Sequence, residues 1–530
     1  MPKKLLARRT THSLTLELTA YGLEGLSVLN IIHTSSAETP ASLEEHFATF
    51  REHTIGIRCH INTPYGRQSL LYADWTASGR LYEPIERKLQ DTFGPYISNP
   101  HTDSNTTGLT MTLAYHEARQ IIKRHVKAGP KDVLLFCGNG TTGAVNKLQR
   151  IMGLRIPEWL ASHSNQLLEE RPVIFTSHME HHSNILPWQE GLGDVITIPP
   201  GADGSIDPEQ LEAQLRLYKN RRWKIGSFTA CSNVTGIQSP YHKLAAIMHQ
   251  YGGLCFVDFA ACAPYEPINM HPASPLEKLD AIFFSPHKFL GGPGTNGVLI
   301  FDEALSSGRI PDEPGGGTVA WVNPWGGRRY TSAIEMREDG GTPGFLQAFR
   351  AALCVKLKEQ MNGSGHYMRV KELELCEQLM TGLRSIPECS LLAGQHTERQ
   401  GIVSFTLRDI HYNLVVQLLN DRFGIQARGG CSCAGPYGHY LLGLGWAQSA
   451  QIAEAITEGD QSLRPGWVRI SLHPIMTAQE VERIVSAIRK IVTHIQLWKQ
   501  DYLYDGSTNS WNHIYAQNPP EEKIQALFSL

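Results

Sequence analysis

The chain has 530 residues, with 48 Lys and Arg against 51 Asp and Glu, a formal net charge of −3 and 41% hydrophobic residues. That length exceeds one simple core and predicts two domains plus extensions, while the near-neutral balance offers no basic footprint for nucleic acid. No apolar run reaches the roughly 18–20 residues that span a bilayer, and the ten cysteines are too scattered for a disulfide framework, so the expected setting is a reducing cytoplasm.

The start, Met1 to Arg9, is basic, but polar Thr10 to Ser13 follows where a signal peptide needs its apolar core. Further on, short apolar runs alternate with helical patterns. Val133–Phe136, Val173–Thr176, Val195–Ile198, Ile225–Thr229, Leu254–Val257, Ala281–Phe284 and Gly297–Phe301 each suit a strand buried on both faces. Asp207–Leu217 and His242–His249 have helical periodicity, the first with Asp207 as N-cap and Pro208 at the first helical position. This alternation predicts an α/β domain with a mainly parallel sheet and a ligand at the strands' carboxyl ends. From Pro311 to Gly344 the pattern is irregular, and an irregular stretch of that length is usually functional. Helical patterns at about 345–386, a strand at Ile402–Leu407, a helix near 411–422 and a strand at Trp467–Leu472 then predict a smaller α+β domain. Its last helix opens with a capping box, Thr477 to Glu480.

Five places carry chemistry. Lys288, in Ser285-Pro-His-Lys, lies between a buried strand and a glycine-rich turn; a crowded lysine loses its proton readily and forms Schiff bases, as in pyridoxal phosphate anchoring. Asp258 ends a strand about 30 residues earlier, where a carboxylate would keep a pyridine nitrogen protonated, although a lone strand-end Asp also serves as a cap or turn residue. Cys137-Gly-Asn-Gly-Thr-Thr follows a strand and opens a helix; its backbone N–H groups, with Thr141 and Thr142, suit a phosphate monoester or a plain strand–helix connection. In Glu180-His181-His182, adjacent histidines on an extended loop cannot easily share a metal; a catalytic ring stacked on a flat cofactor and able to move protons fits better, with a structural role open for one of the two. Arg428-Gly-Gly-Cys-Ser-Cys433 places two cysteines in an arginine-flanked loop, where cationic, partly exposed surroundings make thiols nucleophilic; inert small residues or half of a metal site are the alternatives.

Taken in order, Gly140-Thr-Thr, Glu180-His-His-Ser-Asn-Ile-Leu-Pro-Trp188, Ser232-Asn-Val-Thr-Gly236, Val257-Asp-Phe-Ala260, Ser285-Pro-His-Lys288 and Arg428-Gly-Gly-Cys-Ser-Cys-Ala434 resemble the class V aminotransferases of the fold-type I pyridoxal phosphate enzymes. The likeness spans roughly residues 70 to 495 and is strongest to the cysteine desulfurase and selenocysteine lyase group. It implies a large domain at 99–345 with a mainly parallel seven-stranded sheet, a small α+β domain at 346–500, a segment at 66–98 packing with the small domain, and extensions at 1–65 and 501–530. It further implies pyridoxal 5'-phosphate bound by Lys288, with Asp258 at the pyridinium, His181 stacked on the ring and Asn233 near the phenolic oxygen and the substrate. Thr142, Ser285 and His287 would hold the phosphate, Thr342 would reach the phosphate of a partner subunit in a homodimer, Arg469 would clamp the substrate carboxylate and Cys433 would accept sulfur. The implied reaction on L-cysteine, or on selenocysteine, yields alanine and a Cys433 persulfide that a sulfur-acceptor protein could discharge.

The sequence departs from that pattern at Ala261, where the family usually has a glutamine, and at Cys431 and Ser432, where a histidine pair is usual. The loop after Cys433 also looks longer. The same scaffold hosts aminotransferases, C–S lyases and epimerases, which are the alternative activities, and a non-enzymatic sulfur carrier or scaffold is the alternative of another class.

Overall fold

The apolar runs form a seven-stranded sheet: β1 (Asp132–Cys137), β2 (Val173–Ser177), β3 (Asp194–Ile198), β4 (Lys224–Thr229), β5 (Leu254–Asp258), β6 (Ala281–Phe284) and β7 (Gly297–Asp302). The computed structural model describes residues 42–161, 171–515 and 521–529, so the basic start lies outside the described residues. In space the order is β1-β7-β6-β5-β4-β2-β3. β7 runs antiparallel to both neighbours and every other pair is parallel, so six strands share one direction. Every residue of β2, β4 and β6 is buried, as expected for strands covered on both faces.

Helices α1 (Thr106–His125), α2 (Gly140–Ile151), α3 (His182–Gln189), α4 (Pro208–Leu217) and α5 (Tyr241–Gln250) belong to this part of the chain. The Asp207 carboxylate caps α4 by accepting the Glu209 N–H at 2.9 Å, with Pro208 in the first turn. A second, antiparallel sheet follows in the order β8-β9-β11-β10, built from β8 (Cys389–Leu391), β9 (Ile402–Leu407), β10 (Arg428–Gly430) and β11 (Trp467–Ser471). It belongs with α6 (Phe345–Asn362), α7 (Tyr367–Arg384), α8 (Tyr412–Phe423), α9 (Gly435–Leu442), α10 (Trp446–Thr457) and α11 (Ala478–Trp498). The Thr477–Glu480 capping box that opens α11 has both reciprocal hydrogen bonds, at 3.2 and 3.1 Å. The fold is therefore α/β of the type I pyridoxal phosphate transferase class, with a smaller α+β part after the large sheet. Among the described residues no helix is long and apolar enough to cross a membrane.

The segments before and after these elements are integral to the core. A helix at Leu43–Glu52 buries Phe47, and Leu71–Tyr72 pairs in parallel with Ile425–Gln426. Beyond α11, a hairpin of Tyr502–Asp505 and Ser510–His513 packs on α8, where the Tyr502 hydroxyl donates to Asp421 at 2.9 Å and the Asn413 amide to the Asn509 carbonyl at 2.6 Å.

Three segments are more regular than the sequence pattern predicts. The 311–344 stretch holds a hairpin, Val319–Val322 with Arg328–Tyr330, and a short helix at Ile334–Arg337. The Asn323 side chain closes the hairpin turn by accepting the Gly327 N–H at 2.8 Å, a local bond that hydrophobic periodicity does not register. Residues expected on an extended loop after Glu180 form α3 instead, because the His181 ring caps it, accepting the Ser183 N–H at 3.0 Å. The loop after Cys433 is likewise helical, with Pro436 in the first turn of α9.

One close approach holds β7 against the start of α2. A Cβ added at Gly297 would lie 2.1 Å from the Gly140 carbonyl oxygen, so this strand position accepts only glycine without a backbone shift. Gly297→Ala is expected to cost about 1–3 kcal/mol, the usual range for overpacking. A lower urea midpoint with unchanged slope is the expected readout.

Candidate functional site

Six strands of one direction bring their carboxyl ends to a single edge, and the loops leaving them build the site. After β1, Gly140 adopts φ +59°, and a side chain there would come within 2.8 Å of Ser285 Oγ and 3.0 Å of His287 Cε1. With no side chain in the way, the Thr141 N–H donates to Ser285 Oγ at 2.9 Å, and the Thr141 and Ser285 hydroxyls lie 3.0 Å apart. Thr142 Oγ1 is 2.6 Å from Ser183 Oγ. Hydroxyls and backbone N–H groups thus cluster at the N-terminus of α2, an arrangement suited to an anion.

After β6, a single 3₁₀ turn, Pro286–Lys288, presents Lys288. The turn is pinned from behind by the Gly79 N–H, which donates to the His287 carbonyl at 2.8 Å. Burial pulls the Lys288 ammonium down to about 8; Asp258 opposes that shift and Arg469 adds to it. Asp258, the last residue of β5, shifts the other way: burial raises it to about 6 against the Ala260 N–H and the Lys288 charge. No hydrogen bond or ion pair joins Lys288 to Asp258 among the described residues, so amine and carboxylate face one cavity without closing on each other.

The loop after β2 supplies His181. Burial, then the nearby positive charges of Lys288, His182 and Arg469, hold its ring neutral down to about 3. Its Nδ1 accepts the Ser183 N–H, so the ring proton is on Nε2. Behind it, the buried Glu180 carboxylate accepts from the Ser177 hydroxyl at 2.5 Å, the Thr229 N–H at 2.9 Å and the Asn184 amide at 2.7 Å. Burial lifts Glu180 to about 7, and its bonds tie β2 to β4 beneath the histidine.

The small sheet closes the cavity. β10 and β11 pair so that Arg428 lies directly opposite Arg469, two like charges on facing positions. The carboxylate of Asp74 bridges them: Oδ1 accepts from Arg469 Nη2 and Oδ2 from Arg428 Nε, both at 2.9 Å. Arg469 Nη1 donates to the Asn233 carbonyl at 3.0 Å, and the Asn233 amide donates to the Ser432 carbonyl at 2.7 Å. Cys433 is exposed at the end of this chain of contacts; its carbonyl accepts the His182 N–H at 2.8 Å.

Thr141, Thr142, His181, Asn233, Asp258, Ser285, His287, Lys288, Cys433 and Arg469 line one cavity of about 270 Å³. Thr342 does not line it; it is exposed, its hydroxyl 3.4 Å from Asn99 Oδ1. Sequence reasoning missed Asp74 and gave Glu180 no positioning role. Asp74 follows a two-residue strand, too short for a periodic signal, and only the paired small sheet reveals its use.

These residues fit pyridoxal 5'-phosphate. Asn233 Oδ1, Ser432 Oγ and Arg469 Nε are buried polar atoms of the cavity wall without a partner, so the wall holds unused hydrogen-bonding capacity for a polar ligand. The hydroxyl cradle at Gly140 suits a phosphate. The Lys288 amine and the Asp258 carboxylate, which do not pair with each other, suit an aldehyde and a ring nitrogen, respectively.

A polar cavity of this kind at the strand ends of a type I fold defines a pyridoxal phosphate enzyme. The sequence model of the aminotransferase class-V family, whose members depend on that cofactor, matches residues 71–484, and the chain belongs to this family. It is 29% identical over 379 residues to a probable cysteine desulfurase of Halalkalibacterium halodurans, covering 70% of this chain and 86% of that one. A probable cysteine desulfurase of Staphylococcus aureus is 26% identical over 426 residues, with 79% and 92% covered. Among solved structures, the cysteine desulfurase of Thermococcus onnurineus superposes with a TM-score of 0.65 at 23% identity, covering 80% of this chain and 95% of that one. One from Escherichia coli gives 0.64 at 22% identity, covering 84% and 98%.

Two outcomes follow from the charges. In cofactor-free protein, reductive trapping of Lys288 by pyridoxal 5'-phosphate and borohydride should rise with pH through about 8 and level off above it, since the folded amine titrates there and not at 10.5. Peptide mapping of the trapped lysine checks this. Asp74→Ala leaves Arg428 and Arg469 opposed, one half-exposed and one buried. The loss should fall between the about 1 kcal/mol of an exposed pair and the about 3–5 kcal/mol of a buried one, read by urea unfolding.

Proposed function

We propose that the protein is a cysteine desulfurase, taking sulfur from L-cysteine, or selenium from selenocysteine, and leaving alanine. The observation that carries this reading is the exposed thiol of Cys433 on the same cavity as Lys288 and Arg469. The named activity of the similar bacterial proteins supports it.

Bound pyridoxal 5'-phosphate supplies an electron sink for the substrate Cα. In this reading Lys288 is the amine that anchors it. Asp258 would hold the pyridine nitrogen and favour its protonated form, and the neutral His181 ring would stack on the cofactor. Thr141, Thr142, Ser285 and His287 would hold the phosphate, and Asn233 would serve the phenolic oxygen. Ala261, buried at the cavity wall, offers only a methyl group where the family usually has a hydrogen-bonding glutamine.

Arg469 takes the substrate carboxylate, a task for a planar two-donor fork. Because burial pulls its ammonium down to about 8, a fraction of Lys288 is free amine at neutral pH, and its Nζ can remove the Cα proton and return it. The Cys433 thiolate attacks the substrate sulfur, forming an S–S bond while the Cβ–S bond breaks and its electron pair ends, with a proton, on the carbon. The balance is L-cysteine plus the Cys433 thiol giving L-alanine plus the Cys433 persulfide, with no outside oxidant. We further propose a homodimer in which Thr342 reaches the partner's phosphate site, and a cytoplasmic location in keeping with ten free cysteines.

Holoprotein with L-cysteine and dithiothreitol is expected to release sulfide and alanine in equal amounts. Cys433→Ser should abolish both while the cofactor absorbance still responds to L-cysteine. Pyruvate without alanine would instead identify a C–S lyase, and a keto acid with transfer of the amino group an aminotransferase. Arg469→Lys should raise KM roughly 10- to 150-fold, the equivalent of about 1.5–3 kcal/mol for a charged hydrogen bond.

A further inference from the structure

The turn that carries Cys433 is held by Asn233, whose amide donates to the Ser432 carbonyl, and by His182, which holds it twice. The His182 backbone N–H donates to the Cys433 carbonyl at 2.8 Å, and its ring Nε2 accepts the Gly435 N–H at 2.9 Å. The second bond catches the chain just after the left-handed pair Ser432 and Cys433, where α9 begins. A Cβ added at Gly435 would lie 3.1 Å from the same Nε2, so glycine there lets the ring come close. An accepting Nε2 puts the His182 proton on Nδ1, the opposite tautomer from His181, whose Nδ1 accepts. Burial and the charge of Arg464 hold His182 below the ordinary histidine range, which keeps the ring neutral and able to accept.

His182 does not itself line the cavity, but the residues on either side of it do. His181 lies on the cavity before it. Ser183 lies on the cavity after it, with Oγ 2.6 Å from Thr142 Oγ1 in the hydroxyl cradle. Asn184, fully buried, fastens the same stretch to the sheet: its amide donates to Glu180 at 2.7 Å and its oxygen accepts the Ser227 hydroxyl at 2.6 Å. Residues 181–184 therefore reach, in order, the cavity wall, the Cys433 turn, the hydroxyl cradle and the sheet. One helical turn fixes the spacing among all four.

We propose that His182 is a positioning residue that sets the place of the Cys433 thiol relative to the cavity through its ring hydrogen bond to Gly435. It acts through the turn and not on the substrate. A displacement of about 1 Å at reacting atoms can cost about 100-fold in rate, so a thiol on an exposed turn needs such a pin. For alanine formation the inference rests on the desulfurase reading; for the reactivity of the thiol it does not.

The test uses holoenzyme with His182→Gln, whose side-chain oxygen can replace Nε2 as acceptor, or His182→Leu, which fills the space without one. The backbone bond to Cys433 survives both substitutions, so the ring bond is tested alone. Alkylation of Cys433 by iodoacetamide without L-cysteine, read by peptide mapping, should quicken about two- to tenfold in His182→Leu, the worth of one ordinary hydrogen bond. With L-cysteine and dithiothreitol, kcat for alanine in that variant should fall roughly 10- to 100-fold while KM stays within about twofold. The cofactor absorbance should respond to L-cysteine as in the wild type. His182→Gln should stay within about threefold of the wild type in both rates. Gly435→Ala crowds the same nitrogen from the other side and should quicken alkylation too; it carries the test if His182→Leu does not fold. Unchanged alkylation and kcat in His182→Leu and Gly435→Ala overturn the proposal. So does a fall in His182→Gln as deep as in His182→Leu, which would assign the effect to the ring and not to the bond, or a lost cofactor response, which would place His182 on the cofactor. If the wild type forms no alanine, the desulfurase reading is what has failed, and the alkylation arm still decides whether His182 pins the thiol.

Discussion

The carboxylate of Asp74 resolves a conflict that strand pairing creates. The antiparallel register of β10 and β11 sets Arg428 opposite Arg469, and both line the cavity. One anion accepting from both, at 2.9 Å each, turns repulsion into a clamp. The clamp also fixes where the chain segments meet. Asp74 follows the Leu71–Tyr72 strand that pairs with Ile425–Gln426, the Ser471 N–H donates to the Ala73 carbonyl at 2.8 Å, and Cys433 lies five residues past Arg428. The mouth of the cavity, the small sheet and the segment before α1 are therefore held by one electrostatic junction.

Inside the cavity, burial works against charge at Lys288, Asp258 and His181. Lys288 falls to about 8, Asp258 rises to about 6 and His181 falls to about 3. The first two remain charged at neutral pH because each is partly stabilised by the other, although they do not touch. A group with an electrophilic carbon near the amine and a basic nitrogen near the carboxylate satisfies both. Glu180 sits behind this balance: the Asp258 charge adds to its upward shift, while its oxygens are committed to Ser177, Thr229 and Asn184 and keep the strand ends aligned.

Legibility in the sequence followed locality. Each of the seven strands of the large sheet announces itself as an apolar run, and Asp258, Lys288 and the Gly140-Thr-Thr turn sit at run ends, where local pattern and chemistry coincide. The resemblance in residue order then gathered His181, Asn233, Arg469 and Cys433. Asp74 escaped because its meaning depends on two strands more than 350 residues away. The helices α3 and α9 escaped for the opposite reason. Each begins on one unusual cap, a histidine ring or a glycine–proline start, that average propensity does not credit.

Cys433 is where the inward and outward faces of the site meet. Cys433 lines the cavity of about 270 Å³ and is exposed at its mouth. The backbone there is unusual: Ser432 and Cys433 have φ of 53° and 56°, a left-handed pair of non-glycine residues. Such conformations cost free energy and persist where neighbours enforce them. Here the enforcing contacts come from both sides, the Asn233 amide on the Ser432 carbonyl and the His182 N–H on the Cys433 carbonyl. They belong to the cavity wall, whereas the chain two residues later enters α9. The turn thus joins the small-molecule site to α9 without a flexible linker.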